Sequence, residues 1–133
     1  MTVVSADTIP VVSESDIVNV RRYVRENAAR LGFSLVDQTK VVTAASELAR
    51  NTLIHGHGGE MELTTLNGPR VGLRLTFQDR GPGIPDIQTA LRDGFTTGSG
   101  LGLGLGGAKR LVNEFSINSK VGEGTTITVT RWK

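Results

Sequence analysis

Glu47 and Asn51 stand four residues apart in Glu47-Leu-Ala-Arg-Asn51, a spacing that puts both on one face of a helix, one turn apart. A carboxylate there can take a proton from an attacking hydroxyl, and the amide oxygen can bind the magnesium ion that bridges phosphates. Asp79 opens Asp79-Arg-Gly-Pro-Gly83, an acid ahead of a forced turn. It can accept a hydrogen bond from the exocyclic amine of adenine, while Gly81 and Gly83 let a purine approach the backbone. Gly98-Ser-Gly-Leu-Gly-Leu-Gly104 runs into a predicted helix. Amides at Gly98, Gly100, Gly102 and Gly104 can therefore point at phosphate oxygens, with the helix dipole in support. Gly122-Glu-Gly-Thr125 ends on a hydroxyl that can join Asp79 and a water at the adenine edge. The four segments together describe an ATP site.

Each segment has a simpler reading when taken alone. Glu47 can pair with Arg50 on an exposed helix face. The Asp79 segment serves equally as a β-turn, the glycine run as a surface loop, and Gly122 to Thr125 as a hairpin turn. Their order is what carries the inference. Gly102, Gly104 and Gly107 also satisfy G-x-G-x-x-G, with Glu123 downstream. That dinucleotide pattern is set aside, because no apolar strand leads into it and the βαβ unit is missing. A Walker A sequence and the signatures of ordinary protein kinases are absent as well. His55 and His57 flank Gly56 without a third ligand at suitable spacing, which favours a solvated or helix-terminal role over a metal site.

The elements that must position these residues follow from periodicity. Ser13-Glu-Ser-Asp16 has capping-box spacing, and Ile17, Val20, Val24, Ala28 and Leu31 follow at helical intervals before Gly32. Ser34-Leu-Val-Asp37 repeats the cap, and Val41, Ala44, Ala45, Leu48 and Thr52 carry a second stripe toward Gly56, with Glu47, Arg50 and Asn51 off it. Residues 61–66 and 71–77 alternate in polarity around Asn67-Gly-Pro-Arg70, as a β-hairpin does, and the second strand delivers Asp79. Ile87 to Arg92 reads as a short helix and Ala108 to Phe115 as another. A final strand pair covers Ser116 to Lys120 and Thr125 to Trp132. Hairpins beside helices indicate an α+β fold: a mixed, largely antiparallel sheet covered on one face by helices.

Composition narrows the classes further. At 133 residues the chain is expected to form a single domain, spanning residues 1–133. Its net charge of +2, from 15 basic and 13 acidic residues, is too mild to announce a nucleic-acid or membrane surface. An aromatic content of 5% argues against stacking platforms for single strands. The absence of cysteine fits a reducing compartment. The first residues lack a signal-peptide pattern, and no apolar run approaches the roughly 18 residues of a membrane span. The expectation is a soluble, cytoplasmic protein. Many of its 17 glycines crowd into residues 94–107, where the backbone must approach something closely or move.

In order, the four segments resemble the N, G1, G2 and G3 boxes of the GHKL ATPase superfamily, over about residues 36 to 132. That superfamily includes gyrase B, Hsp90, histidine kinases and MutL. The resemblance implies a Bergerat fold, a two-layer α/β sandwich. It also implies that Asn51 holds magnesium, Asp79 accepts from adenine, Gly81 and Gly83 floor the purine, and Gly98 to Gly104 form a phosphate lid. Thr125 then supports a water beside adenine, and Glu47 is the candidate base.

Glu14 to Val18, Gly32-Phe33, Val36-Asp37-Gln38, Ser46 to Asn51, Asp79 to Ile87, Asp93-Gly-Phe95, Lys109-Arg-Leu111, Glu114-Phe-Ser116 and Gly122 to Thr125 are further similar to bacterial anti-sigma-factor type serine/threonine kinases. Among these, the switch kinases of stressosome partner-switching modules look most alike. The implied activity is transfer of the γ-phosphoryl group of Mg-ATP to Ser or Thr of a STAS-domain protein, followed by binding and activation of a PP2C-type phosphatase. Two alternatives are a nucleotide-dependent anti-sigma factor that sequesters a sigma factor, and a binding switch whose chemistry is dispensable. The second is motivated by residues Gly102 to Gly107, which are richer in glycine than the family pattern.

Overall fold

In the computed structural model, which describes residues 2–91 and 104–133, both expected helix starts are capped by their serines. Ser13 Oγ accepts from the Asp16 amide at 3.3 Å, opening α1 (Glu14–Arg30), and Ser34 Oγ accepts from the Asp37 amide at 3.1 Å, opening α2 (Leu35–Arg50). Each satisfies one of the amides that a helix N-terminus leaves unpaired. The reciprocal bond of the first cap reaches one residue further back, since Asp16 accepts from the Val12 amide at 2.9 Å. Gly32, at φ +89°, ends α1 as expected. Phe33 N–H donates to Ala28 O and Gly32 N–H to Ala29 O, both at 3.0 Å, the paired bonds of a left-handed helix stop.

Five strands form one sheet in the order β1-β2-β3-β5-β4: β1 (Thr2–Val11), β2 (Gly59–Asn67), β3 (Gly72–Asp79), β4 (Glu114–Lys120) and β5 (Gly124–Trp132). Every neighbouring pair is antiparallel, so the expected mixed character gives way to a wholly antiparallel sheet among the described strands. The α+β class stands. β1 has no counterpart in the expected elements. It pairs on one side only, with a register shift between Val3 and Ser5 and Pro10 near its end, devices that blunt an edge and also hide a strand from pattern reading.

The register stacks cross-strand rows on the helix-covered face. Ile9, Met61, Phe77, Ile127 and Ile117 make one, and Leu63, Leu75, Val129 and Phe115 belong to the next. These rows pack against Ile17, Val20, Val24, Val41, Ala45 and Leu48 of the two long helices to form the core. Full burial of a large apolar side chain contributes about 1.5–3 kcal/mol. The opposite face is polar, with Glu62, Thr64, Arg74, Thr76, Ser116, Thr128 and Thr130, as strand alternation requires. Tyr23 on α1 donates its hydroxyl to the Asp7 carboxylate on β1. That bond, with burial, raises the Tyr23 pKa above its ordinary 10.0.

Two short helices differ from expectation. α3 is confined to Ile87–Ala90, and α4 runs Leu105–Arg110 rather than from Ala108 to Phe115. Phe115 lies in β4, where it faces Val129. Its helical interval from Leu111 coincides with a strand start. Among the described residues, no helix is long and apolar enough to cross a membrane.

Candidate functional site

α2 stops at Arg50, and Asn51–His55 continue it as a π turn, in which the Gly56 amide donates to Asn51 O at 3.1 Å. Such a turn carries an extra residue and is frequent at functional sites. Its first side chain explains why. Asn51 is 3% exposed, and neither Oδ1 nor Nδ2 has a hydrogen-bond partner. A buried amide left unpaired costs about 1–3 kcal/mol, a cost that a bound ligand can remove. The adjacent Thr52 hydroxyl is satisfied, donating to Leu48 O at 2.9 Å. A neutral carbonyl oxygen is a hard donor of the kind magnesium takes, so the orphaned Asn51 Oδ1 fits that ion.

Glu47 lies one turn earlier with its side chain exposed. Arg50 does not pair with it; the Arg50 guanidinium is 3.5 Å from Glu14 on α1. The neighbour of Glu47 is Gly104, which precedes α4 at φ +71°. A Cβ on Gly104 would stand 2.3 Å from Glu47 Oε2 and 3.1 Å from Glu47 Cβ. Only glycine tolerates both that approach and that backbone angle. The last residue of the glycine-rich segment is thereby set against the candidate base. Gly98, Gly100 and Gly102 lie outside the described residues.

Asp79 ends β3 at 5% exposure, and its Oδ1 accepts from the Gly81 amide at 2.9 Å. Gly56 fits against the carboxylate, since a Cβ there would come within 2.3 Å of Asp79 Cγ; one on Gly81 would come within 2.7 Å of Gly56 Cα. The end of the π turn, the acid and the following turn are thus in direct contact. Gly83, at φ +79°, packs against the end of β4, where a Cβ would meet Lys120 O at 2.4 Å. Its carbonyl is 3.1 Å from His55 Nε2, and Pro82 O accepts from the Gly122 amide at 2.8 Å. His55 is therefore half-buried at the end of the π turn, bonded to the backbone of the Asp79 segment. Among the described residues, no group of three or more His, Cys, Asp or Glu is arranged to hold a metal.

Thr125 pairs with Asp79 across β5 and β3 and is 2% exposed. Its hydroxyl is 2.7 Å from Ser119 Oγ, which also accepts from the Ile84 amide at 2.8 Å. The fold thus brings Glu47 to Gly104, and Asp79 to Gly81 and Thr125, while Asn51 opens the π turn whose following residue, Gly56, touches Asp79. Sequence reasoning missed Gly56, His55 and Ser119 as members of this arrangement. The run from His55 to Gly59 carried a signal for the first two in its glycines. Ser119 carried none.

Residues 36–133 match the family model described as histidine kinase-, DNA gyrase B- and HSP90-like ATPase. The chain is 45% identical over 125 residues to the serine/threonine-protein kinase RsbT of Bacillus subtilis (strain 168), covering 93% of this chain and 94% of that protein. It is 29% identical over 117 residues to the anti-sigma F factor of Thermoanaerobacter sp. (strain X514), covering 84% of this chain and 82% of that one. A solved structure of the RsbU and RsbW domains of Rv1364c from Mycobacterium tuberculosis superposes with a TM-score of 0.66 at 25% identity, over 96% of this chain and 32% of that longer one. An α-layer on an antiparallel sheet, ordered motifs at one end of it and the match over residues 36–133 agree: the chain belongs to the histidine kinase-, DNA gyrase B- and HSP90-like ATPase family.

Proposed function

We propose that the chain is an ATP-dependent serine/threonine protein kinase of a bacterial partner-switching stress-response module, working in the cytoplasm. Its acceptor is Ser or Thr on a STAS-domain protein of the stressosome scaffold or antagonist type, and it then binds and activates a PP2C-type phosphatase. The observation that carries the reading is Asn51: a buried amide with both polar atoms unpaired, one turn beyond an exposed carboxylate. The 45% identity to a serine/threonine kinase over nearly the whole chain supports the same activity.

Phosphoryl transfer asks mainly for positioning and charge stabilisation. In this reading Asn51 Oδ1 would hold magnesium, which would supply positive charge to offset that of the phosphates. The Asp79 carboxylate accepts from the exocyclic amine of adenine, with Thr125 and a water beside it, and Gly81 and Gly83 line the purine. By the family pattern the amides of Gly98, Gly100, Gly102 and Gly104 would be the ones to meet the phosphates. Glu47 orients the acceptor hydroxyl and takes its proton. Gly104, in contact with the Glu47 carboxylate, makes the position of the glycine segment and that of the base interdependent.

Glu47→Ala is expected to lower transfer of labelled γ-phosphate to a purified STAS partner by about 10²–10⁴-fold while leaving nucleotide binding intact. Unchanged transfer would remove Glu47 from the base role. A second reading, nucleotide-dependent sequestration of a sigma factor, is supported by the 29% identity to an anti-sigma F factor over 84% of the chain. A pull-down with sigma factors against STAS proteins separates the two.

A further inference from the structure

Asp79, Thr125 and Ser119 form a single row across β3, β5 and β4, each paired with the next. A serine hydroxyl has one proton to give and two lone pairs to fill. Ser119 Oγ has three partners: the Ile84 amide at 2.8 Å, Gly124 O at 3.2 Å and Thr125 Oγ1 at 2.7 Å. The amide can only donate and the carbonyl can only accept. With all three bonds made at once, the proton of Ser119 goes to Gly124 O, and its lone pairs receive the Ile84 N–H and the Thr125 hydroxyl proton. This arrangement uses the full capacity of Ser119, and it commits the only proton that Thr125 has. Toward the space beside Asp79, Thr125 presents lone pairs alone. The Asp79 carboxylate is likewise a pure acceptor there, with Oδ1 already taking the Gly81 N–H.

We infer that Ser119 is a positioning residue that determines base specificity: by fixing the Thr125 proton away from the site, it leaves an edge of acceptors that takes a 6-amino purine and rejects a 6-oxo purine. The inference rests on the reading of Asp79 and Thr125 as the purine subsite. Adenine presents an N6 amino donor where guanine presents the O6 acceptor. An edge of acceptors pairs with the first and meets the second lone pair to lone pair. Were Ser119 unable to hold it, the Thr125 hydroxyl would rotate and donate to O6.

The test compares affinities of fluorescently labelled ATP and GTP for the whole chain carrying Ser119, Ser119→Ala or Ser119→Thr. Ser119→Ala is expected to lower the preference for ATP over GTP about three- to tenfold, the worth of one neutral hydrogen bond, chiefly by tightening GTP. Ser119→Thr keeps the hydroxyl, and its ratio is expected within about twofold of the parent. Ser119→Cys keeps the volume with a much weaker partner, and it reads the same ratio where Ser119→Ala fails to fold. An unchanged ratio, whether both affinities fall together or neither moves, overturns the inference and makes Ser119 purely structural. A parent chain that binds neither nucleotide overturns the purine-subsite reading instead.

Discussion

The two ends of the site are finished to different degrees. At the sheet end, Asp79, Thr125 and Ser119 sit in one cross-strand row, with Gly81, Ile84 and Gly124 supplying backbone partners. At the helix end, Asn51 is buried with nothing bonded to either side-chain polar atom. The first arrangement is complete without a ligand, so a base would dock there with little reorganisation. The second holds an unrelieved desolvation cost that only an incoming group removes. Rigidity and readiness are therefore placed at opposite ends: the sheet end is fully bonded, and the helix end is left open.

That contrast can be broken by separating stability from activity. The largest effect is expected for Asn51→Ala, which should lower magnesium-dependent phosphoryl transfer by about a hundredfold or more. The thermal midpoint of the free protein should hold or rise, because the substitution deletes an unpaired buried amide; a midpoint that falls by several degrees would show Asn51 to be structurally engaged. Next comes Gly104→Ala, whose methyl would press on Glu47 Oε2 from 2.3 Å, with an expected loss of about tenfold in transfer. Gly107→Ala, with open space around its Cβ, should stay within about twofold and gain roughly 0.5–1 kcal/mol of stability. Equal losses in the two glycine variants would dissolve the link between Gly104 and Glu47. The smallest effect is expected at the finished end. Thr125→Val leaves Ser119 short of one partner and should cost about 1 kcal/mol, read as a fall of several degrees in thermal midpoint.

Much of the fold was legible where the signal is local. Ser13 and Ser34 cap as their spacing indicates, Gly32 ends α1 with the left-handed angle expected of it, and the alternation of residues 61–66 and 71–77 lies within β2 and β3. The pairing of Asp79 with Thr125 was anticipated from chemistry rather than pattern. β1 was not seen, because Asp7 and Pro10 interrupt its apolar pattern and a one-sided edge needs little β signal. The start of α4 was hidden by Gly104, Gly106 and Gly107, which read as loop while Leu105 and Ala108 bury the helix. Ser119 is an ordinary strand serine until the register of two hairpins sets it beside Thr125, and register is not a local property.

The π turn at Asn51–His55 has a consequence for how the connection between α2 and β2 can vary. It holds one residue more than an α-helical turn would, and that surplus sets where Gly56 lies against Asp79. Each residue advances a helix by about 100°, so losing one would swing Gly56 away from the carboxylate. Leu53 and Ile54 lie half-buried in the middle of the turn, and Leu53 packs against the core. The segment is thus strict in length as well as in the residues at its two ends.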